Sequence, residues 1–267
     1  MVELLLEDLM KRYFFDDDWK NWIWSNIKNG VSKQKIYNDL LAKNFDVFTV
    51  INELRFIPDV FRKEDAIPCN QVMGYLHSAE AIKVDLPIPF FIIPDFLSDV
   101  ECQEIVEIQK NNYSCVVTDE KKENSPVFTT YFETTQSDAN NTTLQMLKQK
   151  ILSLMGIPIR YAEKLQGQWY KESGFFQDHF DAYDDYNGFK SLSGNRTWTC
   201  HITLNRVAEG GDTYFSKLDK RFKAKTGQAL IWYNLNENGL AHPLTLHTEQ
   251  AVIQGEKFMI TQWFRQA

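Results

Sequence analysis

From Leu165 to Phe264 the chain is a run of short strand-forming segments: LQGQWY, HFDAY, TWTCHITLN, TYFS, QALIWYN, LTLHTEQAVI and KFMITQWF. Aromatic and β-branched residues dominate them, and glycine-bearing turns divide several of them. Such close spacing leaves no room for the helical crossovers that parallel strands need. The pattern therefore predicts antiparallel strands closing into a jelly roll or small barrel. Ahead of this run the periodicity is helical. Trp19, Trp22, Ile23 and Ile27 recur at helical spacing until Gly30, and Ser32 stands as an N-cap before Ile36, Leu40 and Leu41. A third short helix runs through Val47, Val50, Ile51 and Leu54. Pro58, Pro68, Pro87 and Pro89 mark a loosely structured connection over 58–89. PFFIIP then reads as a strand, DVECQEIVEIQK as a helix capped by Ser98, and TTLQMLKQKILSLMG as a helix with Leu144, Leu147, Ile151 and Leu154 on one face. The expected class is α+β, with an N-terminal helical region over 1–80 and a β-rich domain over 81–267.

Inside the strand-rich run, His179-Phe180-Asp181 sets an imidazole and a carboxylate two residues apart. In a strand, residues i and i+2 point to the same face, so both side chains can reach one metal ion. A third ligand has to come from a distant strand, and His247 is the best candidate. Two His and one carboxylate leave adjacent coordination positions open, the pattern of non-haem Fe(II) oxygenases. Alternation from Lys257 puts Met259, Thr261, Trp263 and Arg265 on its face, with Phe258, Ile260 and Phe264 on the core face. Charged and hydroxyl side chains there fit a polar cavity in which the lysine neutralises a buried carboxylate. An exposed sheet face is the plainer alternative.

Four blocks between about residues 90 and 266 carry a more specific signal: PDFLSDVEC, LQGQWYKESGFFQDHFDAY, GNRTWTCHITLNRVAEGGDTYF and HPLTLHTEQAVIQGEKFMITQWFRQ. In order, spacing and punctuation they resemble the prolyl 4-hydroxylase family of Fe(II)/2-oxoglutarate-dependent dioxygenases, in a bacterial type with an N-terminal helical extension. The resemblance implies a double-stranded β-helix, a jelly-roll relative, as the core. It implies His179, Asp181 and His247 as iron ligands, and Lys257 as the ion-pair partner of the distal carboxylate of 2-oxoglutarate. Tyr170 and Thr213 match hydroxyl positions on that same carboxylate, while Arg196 and Trp263 match residues of the catalytic and substrate pocket. The implied reaction turns 2-oxoglutarate into succinate and CO2 while hydroxylating an unactivated C–H of a prolyl residue or another amino-acid, peptide or protein substrate. Ascorbate is the candidate reductant. Two positions depart from the family pattern. Phe176 stands where relatives commonly carry Tyr, and Arg265 where many carry His, so both are candidates for setting the substrate, Arg265 by pairing with a substrate carboxylate.

Two rival readings stay open: a cupin-like metalloenzyme that uses no 2-oxoglutarate, and a non-catalytic binding module on an oxygenase fold. Composition narrows the partners. A net charge of -7 without a long Lys/Arg block points away from nucleic acid and anionic membranes. No run of 18 apolar residues and no cleavable leader is expected, and Cys69, Cys102, Cys115 and Cys200 form no Cys-x-x-Cys pair, which fits reduced thiols in a cytoplasmic protein. His77, His201 and His242 read as structural, and Asp178, Asp184 and Asp185 as an acidic rim. Trp19, Trp22 and Trp24 either brace the β-core or form a substrate entrance or homodimer contact.

Overall fold

A computed structural model describes residues 12–45, 47–54, 72–74, 76, 80–111, 127–132, 141–183 and 195–265. His77, Asp184, Asp185 and much of the 58–89 connection lie outside the described residues. The chain divides into two compact units, 1–70 with 85–89, and 71–84 with 90–267.

The first unit is helical. Helix α1 (Asp17–Lys28) begins where the Asp16 carboxylate accepts from Trp19 N at 2.9 Å, and Asp17, Asp18 and Lys28 complement its dipole. Gly30, at φ +77°, lets the chain turn away. Helix α2 (Lys33–Leu41) is capped by Ser32 and buries Ile36, Tyr37 and Leu40; α3 (Val47–Leu54) follows, and the Lys33 ammonium donates to the Leu54 carbonyl at 2.7 Å. Trp19 meets Phe45 edge-on at 5.0 Å, while Trp24 is 58% exposed.

The second unit is a pair of antiparallel sheets. The larger comprises β1 (Ile82–Lys83), β2 (Phe90–Ile93), β3 (Val127–Tyr131), β4 (Gln166–Tyr170), β6 (Arg196–Thr203), β10 (Ala229–Tyr233) and β13 (Lys257–Arg265), in the order β1-β2-β10-β6-β13-β4-β3. The smaller comprises β5 (Phe176–His179), β8 (Thr213–Phe215), β9 (Lys220–Phe222) and β11 (His247–Glu249), in the order β5-β11-β8-β9. Strands β7 (Glu209–Gly210) and β12 (Val252–Gln254) pair separately. Phe90 and Trp232 from the larger sheet meet Phe215 of the smaller at 5.3 Å each, and Trp232 meets His247 at 5.1 Å. This aromatic layer joins the sheets in the jelly-roll manner expected.

Helix α4 (Asp99–Asn111) lies against the larger sheet, and α5 (Thr142–Met155) pairs with α4. Helix α4 opens with a reciprocal cap: Glu101 N donates to Ser98 Oγ at 3.3 Å, and Ser98 N donates to the Glu101 carboxylate at 2.7 Å. Helix α5 starts at Asn141 and ends at left-handed Gly156. It buries Leu144, Leu147, Ile151 and Met155, with Leu154 only half-buried. The missing side chain at Gly167 admits Gln109 of α4 and Phe132 against β4, since a Cβ there would stand 2.8 Å from Phe132.

One expected strand is not formed. HFDAY was expected to run as a strand, but β5 stops at His179 and Phe180–Tyr183 are irregular. Its neighbour β11 pairs His247 with His179 and Glu249 with Phe176. The residues that would pair beyond His179 precede His247 and are curled into a 3-10 turn, Pro243–Thr245.

Candidate active site

Asp181 therefore reaches the cluster by a bend. Asn195, fully buried, clamps that bend: its amide oxygen accepts from Tyr183 N at 2.9 Å and its NH2 donates to Tyr183 O at 3.1 Å. Ala182 packs on Leu235 and Ala241 beneath it. The Asp181 carboxylate then comes within 3.7 Å of His179 Nε2, and ligand atoms of His179, Asp181 and His247 all lie within 4.8 Å of one another.

Each imidazole is aimed by its own backbone. His179 Nδ1 lies 2.9 Å from Gln177 O, and His247 Nδ1 lies 2.9 Å from Thr245 O. A carbonyl can only accept, so each Nδ1 donates, which leaves Nε2 as the nitrogen available to a metal. Thr199 donates its hydroxyl to Asp181 Oδ2 at 2.6 Å while accepting from Asn234 Nδ2 at 2.9 Å, which fixes the direction of that proton. Burial would raise the Asp181 carboxyl, yet His179, His247 and Thr199 hold it far below the carboxylate range. Burial would lower His179, and Asp181 more than reverses this; burial and His179 together lower His247.

A polar row on the larger sheet faces this cluster. Cross-strand register sets Lys257 beside Tyr170, Met259 beside Gln168, Thr261 beside His201, and Trp263 beside Thr199. A residual cavity of about 20 Å³ lies between this row and His179, Asp181, His247 and Glu249. Lys257 is 1% exposed, against the plainer expectation of an exposed face. Its ammonium donates to Gly211 O at 2.7 Å and to the carboxylate of Glu249. Thr213, opposite Glu249 in the ladder, donates to the same carboxylate at 3.0 and 3.2 Å. Burial would raise the Glu249 carboxyl, but Lys257 and His201 keep it below its ordinary value.

Residues 165–265 match the family model described as the 2OG-Fe(II) oxygenase superfamily. A protein of Acanthamoeba polyphaga mimivirus, whose name places it among the prolyl 4-hydroxylases, is 30% identical over 185 residues, covering 66% of this chain and 74% of its own. The chain belongs to the prolyl 4-hydroxylase-like 2OG-Fe(II) oxygenases. Prolyl 4-hydroxylase subunit alpha-3 of Homo sapiens is 30% identical over 177 residues, 64% of this chain but 32% of the subunit. The viral collagen prolyl hydroxylase of Paramecium bursaria Chlorella virus-1, solved with 2-oxoglutarate, shares the fold at a TM-score of 0.50 and 22% identity, over 66% of this chain and 94% of its own.

For an oxygenase of this family the donor set suits Fe(II): two imidazoles and one carboxylate whose ligand atoms converge. The groups expected to receive the distal carboxylate of 2-oxoglutarate do suit a carboxylate, but Lys257 and Thr213 already engage the protein's own Glu249. The Tyr170 hydroxyl lines the same cavity, fully buried and with no hydrogen-bond partner among the described residues.

The other predicted residues are placed as follows. Arg196 grips Glu163 with Nε at 2.8 Å and a second nitrogen at 2.9 Å, donates to Asp181 O at 3.2 Å, and stacks on Trp263 at 3.8 Å. Arg265 Nε also meets Glu163, at 2.8 Å, so the charge expected for a substrate carboxylate faces an internal one. Phe176 is 39% exposed and meets the His179 ring edge-on at 4.5 Å. His242 is buried, and its Nδ1 accepts from Leu244 N in the 3-10 turn. Glu249, Glu163, Thr199, Asn234 and Gln168 were not singled out from the sequence. For Glu249 the signal was present, because it lies two residues from His247 and alternation puts both on one face. A larger cavity, about 490 Å³, lies in the helical unit beside Trp19 and Trp22 and presents no imidazole or thiol among its described lining.

Proposed function

We propose that this protein is an Fe(II)- and 2-oxoglutarate-dependent hydroxylase acting on a prolyl residue of a peptide or protein. The observation that carries the reading is the convergence of His179, Asp181 and His247 with both Nδ1 atoms tied to backbone carbonyls. The names of its relatives support the prolyl substrate.

In this reading His179, Asp181 and His247 would hold the metal, while Thr199 donates to Asp181 Oδ2 and orients that carboxylate. When bound, iron with 2-oxoglutarate supplies oxidative decarboxylation coupled to C–H hydroxylation. Lys257, Tyr170 and Thr213 would receive the distal carboxylate of 2-oxoglutarate. Arg196 and Trp263 form a stacked wall that fixes the bend carrying Asp181, and Phe176 borders the exposed mouth beside His179. The buried free thiols of Cys102 and Cys200, pushed up to about 11 and about 12 by burial, support a reducing cytoplasmic setting. Among the described residues no helix is long and apolar enough to cross a membrane.

The test is a mass-detected screen of proline-bearing peptides with Fe(II), 2-oxoglutarate and ascorbate, alongside Mn(II) titration by calorimetry. The parent should yield succinate and a peptide heavier by one oxygen. His179→Ala, Asp181→Ala and His247→Ala should each abolish turnover and weaken Mn(II) binding about a hundredfold or more, with far-UV circular dichroism unchanged. Normal Mn(II) affinity in all three variants refutes the metal assignment, and hydroxylation confined to non-prolyl compounds refutes the substrate.

A further inference from the structure

Glu249 is a charged side chain in the heart of the site to which no metal-binding role falls. It is 2% exposed, its carboxylate receives the Lys257 ammonium and the Thr213 hydroxyl, and His201 Nδ1 lies 3.7 Å away. The cavity left beside it, about 20 Å³, has room for about one water molecule and not for a five-carbon dicarboxylate. A second carboxylate on Lys257 would put two like charges on one ammonium in a buried setting, a costly arrangement. Meanwhile the Tyr170 hydroxyl and His201 Nε2, both buried and lining that cavity, have no hydrogen-bond partner among the described residues. The site thus offers polar atoms that one carboxylate in the position of Glu249 does not use.

We propose that Glu249 is a built-in competitor of the co-substrate, its carboxylate resting on Lys257 where the distal carboxylate of 2-oxoglutarate binds, so that the co-substrate enters only as Glu249 turns aside. Glu249 thereby sets co-substrate affinity and selectivity among 2-oxo acids. A distal carboxylate contends with Glu249 for the Lys257 ammonium itself, whereas an acid without one contends with Glu249 only for space. The inference rests on the 2-oxoglutarate reading of the site.

The experiment is anaerobic calorimetry on the full chain loaded with Mn(II), titrated with 2-oxoglutarate and with 2-oxopentanoate, which keeps the 2-oxo acid head but lacks the distal carboxylate. In the unaltered protein the two acids should bind within about tenfold of each other, because Glu249 cancels most of what Lys257 offers. Glu249→Gln keeps an acceptor for Lys257 and Thr213 but removes the charge. It should tighten 2-oxoglutarate by about tenfold or more and leave 2-oxopentanoate within about twofold. An equal gain for both acids, or no gain for 2-oxoglutarate at an unchanged melting temperature, overturns the proposal. If the variant does not fold, the unaltered protein still decides: 2-oxoglutarate binding a hundredfold or more tighter than 2-oxopentanoate overturns it. Binding of neither acid to the Mn(II)-loaded protein sinks the 2-oxoglutarate reading itself, and Glu249 as a competitor with it.

Discussion

At the scale of single residues the site is held by one-directional hydrogen bonds. Asn234 can only donate through Nδ2, Thr199 passes its own proton on, and ionised Asp181 can only accept, so the chain has one sense. His201 illustrates the cost of burial. Removal from water, reinforced by Lys257 and opposed by Glu249, pushes its pKa down to about 4 from 6.5. The unfolded chain therefore takes up a proton between about pH 6.5 and 4 that the folded protein refuses, so this contribution to stability is present above 6.5 and lost as pH falls. The expected loss is on the order of 3 kcal/mol across that window. Urea unfolding of the metal-free protein at pH 7 and pH 5 captures roughly 2 kcal/mol of it. His201→Gln should lose less stability between the two pH values than the parent, and identical losses would show that the imidazole is not the group that titrates.

At the scale of elements, β13 carries the most. Flanked by β6 and β4, it is buried on both faces, yet alternation still separates Phe258, Ile260 and Phe264 from the cavity row of Met259, Thr261 and Trp263. The β7–β8 turn brings Gly211 O and Thr213 to meet Lys257 and Glu249 at the end of this row. Gly210 makes that turn at φ +76°, and a Cβ there would stand 2.3 Å from Ala251 O and 2.8 Å from Ile253 N. Gly210→Ala should destabilise the protein by about 2 kcal/mol or more through backbone strain and loss of the β7–β12 pairing. A urea midpoint within error of the parent would mean that the turn adjusts without cost.

At the scale of the whole molecule the division into units bears on where the catalytic unit begins. Sequence punctuation expects the boundary at 80; we propose that the catalytic unit begins near Gln71, since the compact unit takes in residues 71–84, with Val72 and Leu76 fully buried. All proposed metal and co-substrate contacts come after Leu165. A chain beginning at Gln71 should fold, bind Mn(II) with parental affinity, and melt cooperatively; one beginning at Ala81 should lose the burial of Val72 and Leu76, worth roughly 3 kcal/mol or more. Equal melting temperatures for the two would place the boundary back at 80.

Much of this was legible in the linear chain. The 3.6-residue spacing of α1, α2, α4 and α5 and the caps at Ser32 and Ser98 are local, so sequence alone determined them. The strand-rich character follows from alternation, and residue type and spacing marked His179, Asp181, His247 and Lys257 as candidates, although Asp181 joins the cluster through a bend and not along a strand. Tertiary structure alone decided where β5 ends, because that depends on its partner curling into a 3-10 turn before His247. It also decided that Arg265 and Arg196 share Glu163, three residues brought together from distant positions in the chain. The occupancy of Lys257 by Glu249 is of the same kind. Alternation can assign Glu249 a face, but which of several anions reaches one buried ammonium is settled only when two sheets close and water is excluded.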